Sequence, residues 1–599
     1  MNSFRGIVYD SQHGKNPTVL PEHRSYLGPQ PKSSGSAFFS GSGPAISLAE
    51  QHNGPAGITS LMGVGDLRID NTAELNQLLD TEAGLSDIEL LLATYRRFGD
   101  ECANHIVGEY AFAIWDSTQG SLFLCRDRLG TKGLYYVVLE TGIAFSTRVI
   151  DLSSLQSEGA VLDLQTALAF ITLEPIPKKR TFLEGVRRLP PAESLRYSDG
   201  RISSNCYWKL PRRNKPSKVD YCKAKDQFLA LLDEAIRCRI KNQEHIGCEL
   251  SGGLDSSSVL GSVVAIRGST FVTSYTLDFG DSDCDEKEFS HEVREVLKVS
   301  GRDIDVSDSE TSDEGYLHQY YRRFPDWPLT KMFSPTVAIA DLASFDDIDL
   351  VLTGQGGDHL LEGNMFYLWD YFRTLQWRKL TKVFVKLPYR MAHLKRYVLR
   401  PMLSSLVPIR AQTFLQSLCN RKLFLHEDEG SDIQRRDFRY TSQWASAGAI
   451  EDEFQAYWSD ACTEHQEFST GTRFSHPFFD SRLVEFVYSL PTEYLCDGRT
   501  KRILRDALKG RVPESVLSRN DKAEFTSFIQ QQLAANVTGE FQVPAKLLEH
   551  PTLGPCLDFV RSPSHRLVEL DGEHLERAWR QINLIFWFKT NSVKLSQTP

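Results

Sequence analysis

The sequence lacks any long hydrophobic run and any paired-cysteine motif. A membrane-spanning helix needs about 18–20 consecutive apolar residues, and no segment of the 599 residues approaches that length. The eleven cysteines include no Cys-x-x-Cys pair, which argues against a disulfide framework and a structural zinc site. The first ten residues lack the apolar core of a signal peptide. We therefore expect a cytoplasmic protein with no membrane partner.

An excess of basic residues is also missing. The chain carries 68 Lys and Arg against 78 Asp and Glu, for a net charge of −10. This balance gives no global reason to expect a nucleic-acid partner. With 41% hydrophobic and 24% charged residues, the composition is that of a globular protein, and the length allows about two to four domains.

The pattern of apolar residues divides the chain near residues 211–219, a basic, proline-containing stretch that we interpret as a linker. Residues 1–210 contain short apolar runs separated by turn residues, including a hairpin at 110–125 and a helix over Asp87–Phe98. This half is predicted to be layered β-sheet with a few helices. Residues 220–599 instead alternate helices with strands, which predicts a parallel sheet that binds ligands at the carboxyl ends of its strands. The predicted fold class is α/β, with an α+β N-terminal half.

The segment Glu249-Leu-Ser-Gly-Gly-Leu-Asp-Ser-Ser-Ser258 follows a predicted strand and opens a helix. Its glycines let the backbone approach a phosphate, and the helix N-terminus offers unpaired N–H donors. Asp255 would repel a bare phosphate, so its presence indicates a bound cation. The absence of Gly-Lys-Ser/Thr excludes a Walker A loop. A capped glycine turn without function is the simpler alternative.

This string resembles the pyrophosphate loop of ATP-pyrophosphatases, which adenylate a carboxylate and release pyrophosphate. Leu352-Thr-Gly-Gln-Gly-Gly-Asp358 resembles the second magnesium-binding loop of the asparagine synthetase branch of that family. The resemblance implies that Asp255 and Asp358 hold Mg²⁺. It also implies that ATP is bound by a wider set of residues: Leu250, Ser251, Gly252, Gly253, Asp255, Ser256, Ser257, Leu277, Thr353 and Gly354.

Segments near the C-terminus extend the resemblance to asparagine synthetases. Residues 473–480, 501–505 and 519–525 are similar to the Pro-Phe-Leu-Asp region and the closing segments of that family. The match implies that Lys522 is the catalytic lysine, which stabilises charge around the acyl-adenylate. It also implies a C-terminal ATP-pyrophosphatase synthetase domain.

Residues 1–210 are similar to the glutaminase half of the same family, which has an Ntn-type fold. Such a glutaminase uses an N-terminal cysteine whose own α-amine is the base, but Asn2 follows Met1 here. Val64 replaces the asparagine that contributes to the oxyanion hole, and valine has no side-chain donor. Asp87 keeps the position of the carboxylate that holds the amine of glutamine, although it could simply cap its helix. We expect this half to be catalytically inactive.

Without glutamine as the nitrogen source, another amine must attack the activated carboxylate. An amine on the same molecule has a high effective concentration, which favours cyclisation. Within the family, the second loop with Gln355, which reads Gly-Gln-Gly-Gly-Asp, resembles the same loop of lasso peptide cyclases. These form a macrolactam between an Asp or Glu side chain of a precursor peptide and its N-terminal amine, and they work with a leader peptidase and a leader-binding protein.

The alternatives are an ammonia-dependent asparagine synthetase, a β-lactam or other small-molecule synthetase, and a non-catalytic scaffold. An insertion over residues 365–470 bears on the choice, because its first part, 365–410, has ten Lys or Arg, one acidic residue and several aromatics. We interpret it as a groove for the precursor peptide. Amphipathic helices with a solvated basic face would give the same pattern, and nucleic-acid binding is a weaker alternative.

Overall fold

The computed structural model describes most of the two halves but only part of the insertion. The described residues are 3–9, 32–34, 37–42, 46–53, 58–81, 84–156, 159–174, 176–210, 219–280, 286–306, 320–322, 326–328, 334–361, 367–386, 472–497, 499–519, 526–530, 543–561, 570 and 572–595.

The N-terminal half is built on two six-stranded antiparallel sheets. Its strands are β1 Ser3–Tyr9, β2 Lys32–Ser34, β3 Ala37–Ser42, β4 Ile46–Asn53, β5 Ile58–Ile69, β6 Gly108–Asp116, β7 Ser121–Arg126, β8 Tyr135–Leu139, β9 Gly142–Ser146, β10 Arg187–Arg188, β11 Glu193–Ser198 and β12 Arg201–Cys206. The strand orders are β10-β8-β9-β1-β3-β2 and β12-β11-β7-β6-β5-β4.

Helices cover the outer faces of these sheets. They are α1 Thr72–Leu79, α2 Asp87–Phe98, α3 Cys102–His105, α4 Val149–Ser153 and α5 Leu164–Ile171. One core lies between the sheets and includes Phe4, Phe39 and Trp115, while a second lies between α2 and the outer face of the sheet that holds β6. The half is therefore layered helix, sheet, sheet, helix, as the short alternating runs predicted.

The C-terminal half contains a five-stranded parallel sheet in the order β15-β14-β13-β16-β17. Its strands are β13 Ile246–Glu249, β14 Val272–Asp278, β15 Ser300–Asp305, β16 Leu350–Leu352 and β17 Arg473–Ser475. Its helices are α6 Tyr221–Ile240, α7 Leu254–Arg267, α8 Lys287–Leu297, α9 Ser334–Phe345, α10 Gly357–Leu361, α11 Tyr367–Arg373, α12 Trp377–Lys386, α13 Ser481–Ser489, α14 Arg502–Ala507, α15 Glu514–Ser518, α16 Ala545–Leu548 and α17 Gly572–Thr590.

Local sequence signals explain where these elements begin and end. Helix α2 starts at the predicted residue because Ser86 and Glu89 form a capping box. Helix α6 begins after Asp220, whose carboxylate accepts backbone N–H groups of its first turn. Among the described helices, none combines the length and apolar character that crossing a membrane requires.

A buried ionic cluster joins the two halves. Arg239 of α6 is only 5% exposed, and its Nη2 lies 2.5 Å from Glu109 Oε1 on β6. Glu109 Oε2 also pairs with Arg68 Nη1 at 2.9 Å, and Arg239 Nη1 lies 3.5 Å from Asp480. Arg239 Nε donates to Ser475 Oγ at 3.1 Å, at the end of β17. The cluster thus fixes the last residue of β17 against the N-terminal half.

The pKa of Glu109 shows how strongly the cluster depends on its charge. Burial alone would raise this pKa, but Arg239 and Arg68 outweigh burial and hold it far below its usual range. A carboxyl group with a depressed pKa contributes stability above its unfolded pKa, about 4.3, and that stability is lost as the pH falls toward the folded value.

We expect Glu109→Gln to lower the free energy of unfolding at pH 7 by about 3–5 kcal/mol, because it leaves buried arginines uncompensated. This loss of stability should become smaller as the pH falls below about 4. Urea denaturation at pH 7 and below about pH 4 measures it. Arg128→Gln is the matched control, since it breaks the more exposed Arg128–Glu485 pair (3.3 Å) across the same interface and should cost less than about 1 kcal/mol. Equal losses in the two variants would contradict a dominant buried cluster.

Candidate functional site

The first loop of the site links β13 to α7 through Leu250–Gly253. Gly252 has φ +80°, and a Cβ there would lie 2.8 Å from the backbone nitrogen of Ser290, so the turn requires glycine. Ser251 Oγ and Ser256 Oγ are 3.0 Å apart and hold the loop closed over the first turn of α7. Ser257 Oγ is buried and has no hydrogen-bond partner among the described residues.

The start of α7 is suited to an anion. The N-cap residue of this 14-residue helix is Gly253, and no side chain forms a capping hydrogen bond there. The first N–H groups of α7 and the positive end of the helix dipole therefore remain available to a phosphate. This arrangement is the one that the glycine- and serine-rich sequence predicted.

The second loop, Thr353–Gly356, links β16 to α10 and packs directly on the first. A Cβ on Gly354 would lie 2.4 Å from Ser256 N, and one on Gly357 would lie 2.4 Å from Asp255 Cγ. Only glycine permits this approach at both positions. The approach brings the first turn of α10, which carries Asp358, against the first turn of α7, which carries Asp255.

Lys501 lies where these two carboxylates meet. Its Nζ is 2.5 Å from Asp255 Oδ2 and also pairs with Asp358 Oδ1, and the residue is 9% exposed. Burial would lower the pKa of this ammonium group, but the attraction of the two carboxylates outweighs burial and raises it. Lys501 belongs to the segment 501–505 that resembles asparagine synthetases, and the resemblance gave this residue no role. One signal for such a residue was available, because two adjacent carboxylates need a positive charge between them.

The donor set fits the magnesium ion that the resemblance implies. Asp255 and Asp358 converge on a single positive charge, while the described residues contain no group of three or more His, Cys, Asp or Glu side chains that could hold a metal by themselves. Mg²⁺ typically binds through one or two carboxylates and completes its shell with phosphate oxygens and water. Asp255 and Asp358 would hold such an ion beside a pyrophosphate.

Further positive charge surrounds the two loops. Arg505 and Arg499 both donate to the carbonyl of Leu517, at 2.7 and 3.0 Å. Burial and then the neighbouring Arg499 lower the pKa of Arg505. Arg519 pairs with Glu286 at 2.5 Å and stacks on the ring of Phe289, beside the turn at Gly252.

The structure unites most of the predicted ATP residues, but not all of them. Residues 250–257 and 353–358 lie at the carboxyl ends of β13 and β16, where the two loops and the first turns of α7 and α10 pack against each other. Leu277 lies on the adjacent strand β14 and is partly buried, with no described contact to either loop. Lys522 lies outside the described residues, so its catalytic role stays a prediction.

A row of polar side chains borders the nucleotide loops. Cys248 pairs with Leu352, and Leu352 pairs with Ser475, so the residues that follow them, Glu249, Thr353 and His476, form the next row across the sheet. Thr353 Oγ1 and His476 Nδ1 are 2.7 Å apart.

Glu249 has no described hydrogen bond or ion pair, and burial raises its pKa to about 7. Sequence reasoning gave no role to Glu249 or His476, because the row depends on strand pairing.

In the N-terminal half, the residues at the positions expected to serve glutamine make contacts within the half itself. Val64 is fully buried between the sheets, and Asp66 pairs with Lys132 at 3.0 Å. Asp87 Oδ2 accepts the backbone N–H of Ile69 at 3.0 Å, while the helix cap that Asp87 was thought to provide is formed by Ser86. Burial raises the pKa of Asp87, which disfavours the charge that would hold an ammonium group.

Two family descriptions match the chain. The description "Asparagine synthase" matches residues 227–551, more than half of the chain, and "Glutamine amidotransferase domain" matches residues 68–208.

Curated relatives agree with these matches. Asparagine synthetase 3 (glutamine-hydrolyzing) of Bacillus subtilis (strain 168) is 23% identical over 87% of this chain and 82% of its own length. Amidase chyE of Penicillium rubens is 28% identical over 49% of this chain and 44% of its own length.

Among solved structures, a glutamine phosphoribosylpyrophosphate amidotransferase from B. subtilis covers 51% of this chain and 74% of its own, at 11% identity and a TM-score of 0.22. The sheet order and the family matches agree on an N-terminal Ntn-type amidotransferase domain followed by a parallel-sheet synthetase domain. The chain therefore belongs to the asparagine synthase family and is an ATP-dependent carbon–nitrogen ligase of that family.

Proposed function

We propose that the protein is a lasso peptide cyclase, which uses ATP to join an Asp or Glu side chain of a precursor peptide to the N-terminal amine of the same peptide. A carboxylate oxygen attacks the α-phosphorus of ATP, and pyrophosphate leaves. The amine then attacks the acyl carbon, the bond to AMP breaks, and a macrolactam forms with release of one proton. A leader peptidase and a leader-binding protein would supply the trimmed precursor.

The observation that carries the proposal is the set of internal ion pairs made by the charged residues of the N-terminal half. Arg68 pairs with Asp70 and Glu109, so these charges are neutralised within the protein. Of the described cysteines of this half, Cys102 and Cys125 are buried, with thiol pKa values raised by burial. Cys206 is exposed on β12, at the edge of its sheet opposite β4.

An internal amine supplies what the N-terminal half does not. Ammonia is mostly protonated near neutral pH and is then not a nucleophile. An amine tethered to the activated carboxylate reacts with an effective molarity far above any free amine concentration, about 10⁵ M or more in favourable geometry. The synthetase machinery can then work without a glutaminase.

The roles of the site residues follow from their positions. Asp255 and Asp358 would hold the magnesium ion, which would neutralise charge on the departing pyrophosphate. The first turn of α7 and Lys501 present positive charge to the phosphates. Lys522 is proposed to stabilise the acyl-adenylate.

The described part of the insertion favours one of its helices as the surface of the proposed peptide groove. Tyr367, Trp369 and Tyr371 of α11 are buried, and Tyr367 and Tyr371 belong to a local core. On α12, by contrast, Trp377 is 49% exposed and Arg378 is also exposed. The proposed peptide surface is therefore α12. Residues 387–470 lie outside the described residues, as does the side chain of Lys382.

Removing the converging charges should stop adenylation. We expect Asp255→Asn and Lys501→Met each to reduce carboxylate-dependent exchange of labelled pyrophosphate into ATP by about 10²-fold or more, since each removes a preorganised charge from the leaving group. Lys509→Met is the matched control, because Lys509 is exposed and pairs only with Asp506 among the described residues. Wild-type exchange in either site variant would overturn the assigned roles.

Cyclisation can be tested with synthetic peptides that have a free N-terminal amine and one Glu at varied positions, each paired with its N-acetylated counterpart. The free peptides should lose the mass of one water and yield AMP. The acetylated peptides should support pyrophosphate exchange and form no ring, because they lack the nucleophile. Asparagine formed from aspartate and ammonium, without any peptide product, would instead identify an ammonia-dependent synthetase.

The proposed peptide surface can be tested by charge reversal at α12. For a peptide that binds the basic face of α12, Arg378→Glu should raise the KM by about tenfold and leave kcat near the wild-type value. The reason is that losing a contact made equally in the ground state and the transition state weakens only binding. Arg237→Glu on α6 is the control, since Arg237 is about half exposed and far along the chain from the insertion. An unchanged KM for every peptide that cyclises would exclude α12 as the binding surface.

A further inference from the structure

Glu249 stands out among the titratable groups that the described mechanism leaves unused. It is the last residue of the central strand β13, and the nucleotide loop begins at the next residue, Leu250. Its side chain is partly buried but not closed off from solvent. No other described residue bonds to its carboxylate. A lone carboxylate at the carboxyl end of a parallel strand is in the position where such sheets bind ligands.

The face on which Glu249 lies can be read from the strand. A Cβ on Gly247 would lie 2.9 Å from the ring of Tyr275 and 2.8 Å from Val351. Glu249, two residues further along, lies on the same face. Tyr275 and Val351 belong to the core that α9 covers. Leu250 belongs to the core on the opposite face.

Two more polar residues continue the row from Glu249. Thr353 N donates to Ser475 O at 3.1 Å, which extends the pairing of β16 with β17 by one residue. Thr353 Oγ1 then meets His476 Nδ1, and it also accepts the N–H of Gln355 at 3.2 Å. Thr353 and His476 are 3% and 8% exposed. The row therefore consists of an unpaired carboxylate followed by a hydroxyl–imidazole pair.

This row directly adjoins the residues that would bind ATP. Glu249 precedes Leu250 in the first loop, and Thr353 precedes Gly354, which packs on Ser256 in the first turn of α7. The carboxylate activated on the α-phosphate must lie at the margin of these two loops. A group that handles the attacking amine is required at the same margin.

We propose that Glu249, with Thr353 and His476 beside it, forms the acceptor-amine site, where the Glu249 carboxylate binds the incoming ammonium group and takes its proton. The inference rests on the proposed amide-forming reaction. The Glu249 carboxylate takes one proton from the ammonium group, which frees the nitrogen lone pair to form the C–N bond. The acyl C–O bond to AMP breaks with its electrons going to AMP, and the second proton released by nitrogen passes to solvent water. The hydroxyl–imidazole pair positions the amine next to the carboxylate.

The ionisation of Glu249 suits this task. Its pKa of about 7 arises from burial alone, and a base works best when its pKa lies near the working pH. The other titratable groups of this face within the described residues include Tyr275, Tyr320, Tyr321 and His476. The Tyr275 hydroxyl donates to Asp346, which also pairs with Arg302. Tyr321 donates to Asn583, and Asp341 of α9 is exposed. Asp255, Asp358 and Lys501 belong to the loop side.

The test separates proton removal from adenylation with the variant Glu249→Gln. Carboxylate-dependent pyrophosphate exchange should stay within about threefold of wild type, while amide formation with the native amine should fall by about 10²–10⁴-fold. Hydroxylamine, which is uncharged at pH 8 and needs no base to become a nucleophile, should still trap the acyl group as a hydroxamate. Glu295→Gln, an exposed glutamate on α8, is the matched control and should behave as wild type.

A pH profile adds a second readout. In the wild type, kcat/KM for amide formation should fall tenfold per unit below about pH 7, and this acidic limb should be absent in Glu249→Gln and present in Glu249→Asp. A carboxyl group with a raised pKa destabilises the fold as the pH rises from about 4.5 to about 7. The melting temperature of Glu249→Gln should therefore exceed that of the wild type at pH 8 and equal it at pH 4.5.

Each outcome of these experiments either supports or overturns the role assigned to Glu249. Unchanged amide formation with an unchanged acidic limb would overturn the assignment, and so would loss of pyrophosphate exchange in Glu249→Gln, which would place the residue in the nucleotide site. If the wild type adenylates no peptide but amidates aspartate with ammonium, the cyclase proposal fails, and the same variant tests Glu249 with ammonium as the acceptor.

Discussion

The attraction of Asp255 and Asp358 for a single positive charge is the constraint on which the site depends. Two carboxylates held this close repel each other unless a cation lies between them, and in the described structure Lys501 fulfils that role. The closeness follows from the backbone, because Gly354 and Gly357 leave no room for a Cβ between the second loop and α7. The parallel order β13-β16-β17 places both loops at one sheet edge. A magnesium–pyrophosphate group would meet this charge distribution without rearrangement of the sheet.

Charged residues of the N-terminal half take part in the contact between the two halves. Glu109 and Arg68 lie in one sheet of that half, and both belong to the cluster that reaches Arg239 of the other half. Because Arg239 also binds Ser475, the cluster holds the end of β17, and the next residue is His476. The N-terminal half therefore has a structural role, since its cluster holds the end of β17 next to the synthetase site.

Local signals in the sequence were enough for most of the fold. The capping box at Ser86 and the turn at 117–120 define α2 and the β6–β7 hairpin, so both were predicted to within two residues. The first loop was predictable from its serine, glycines and aspartate after a strand, and the second from its resemblance to the asparagine synthetase branch. The role of Lys501 was not predictable, because its partner Asp255 lies 246 residues away in the sequence. The burial of Tyr367 and Trp369 was also missed, because a basic, aromatic composition does not tell which face of a helix packs inward.

The proposed acceptor-amine site connects the expected inactivity of the N-terminal half with the proposed cyclisation. An enzyme that receives ammonia from its own glutaminase can bury the route of the nucleophile, because ammonia is small and arrives from within. A peptide amine is attached to a chain and must approach from solvent, so its proton acceptor has to be reachable from outside. Glu249 meets both demands, since it is buried enough to raise its pKa to about 7 and open enough to be reached.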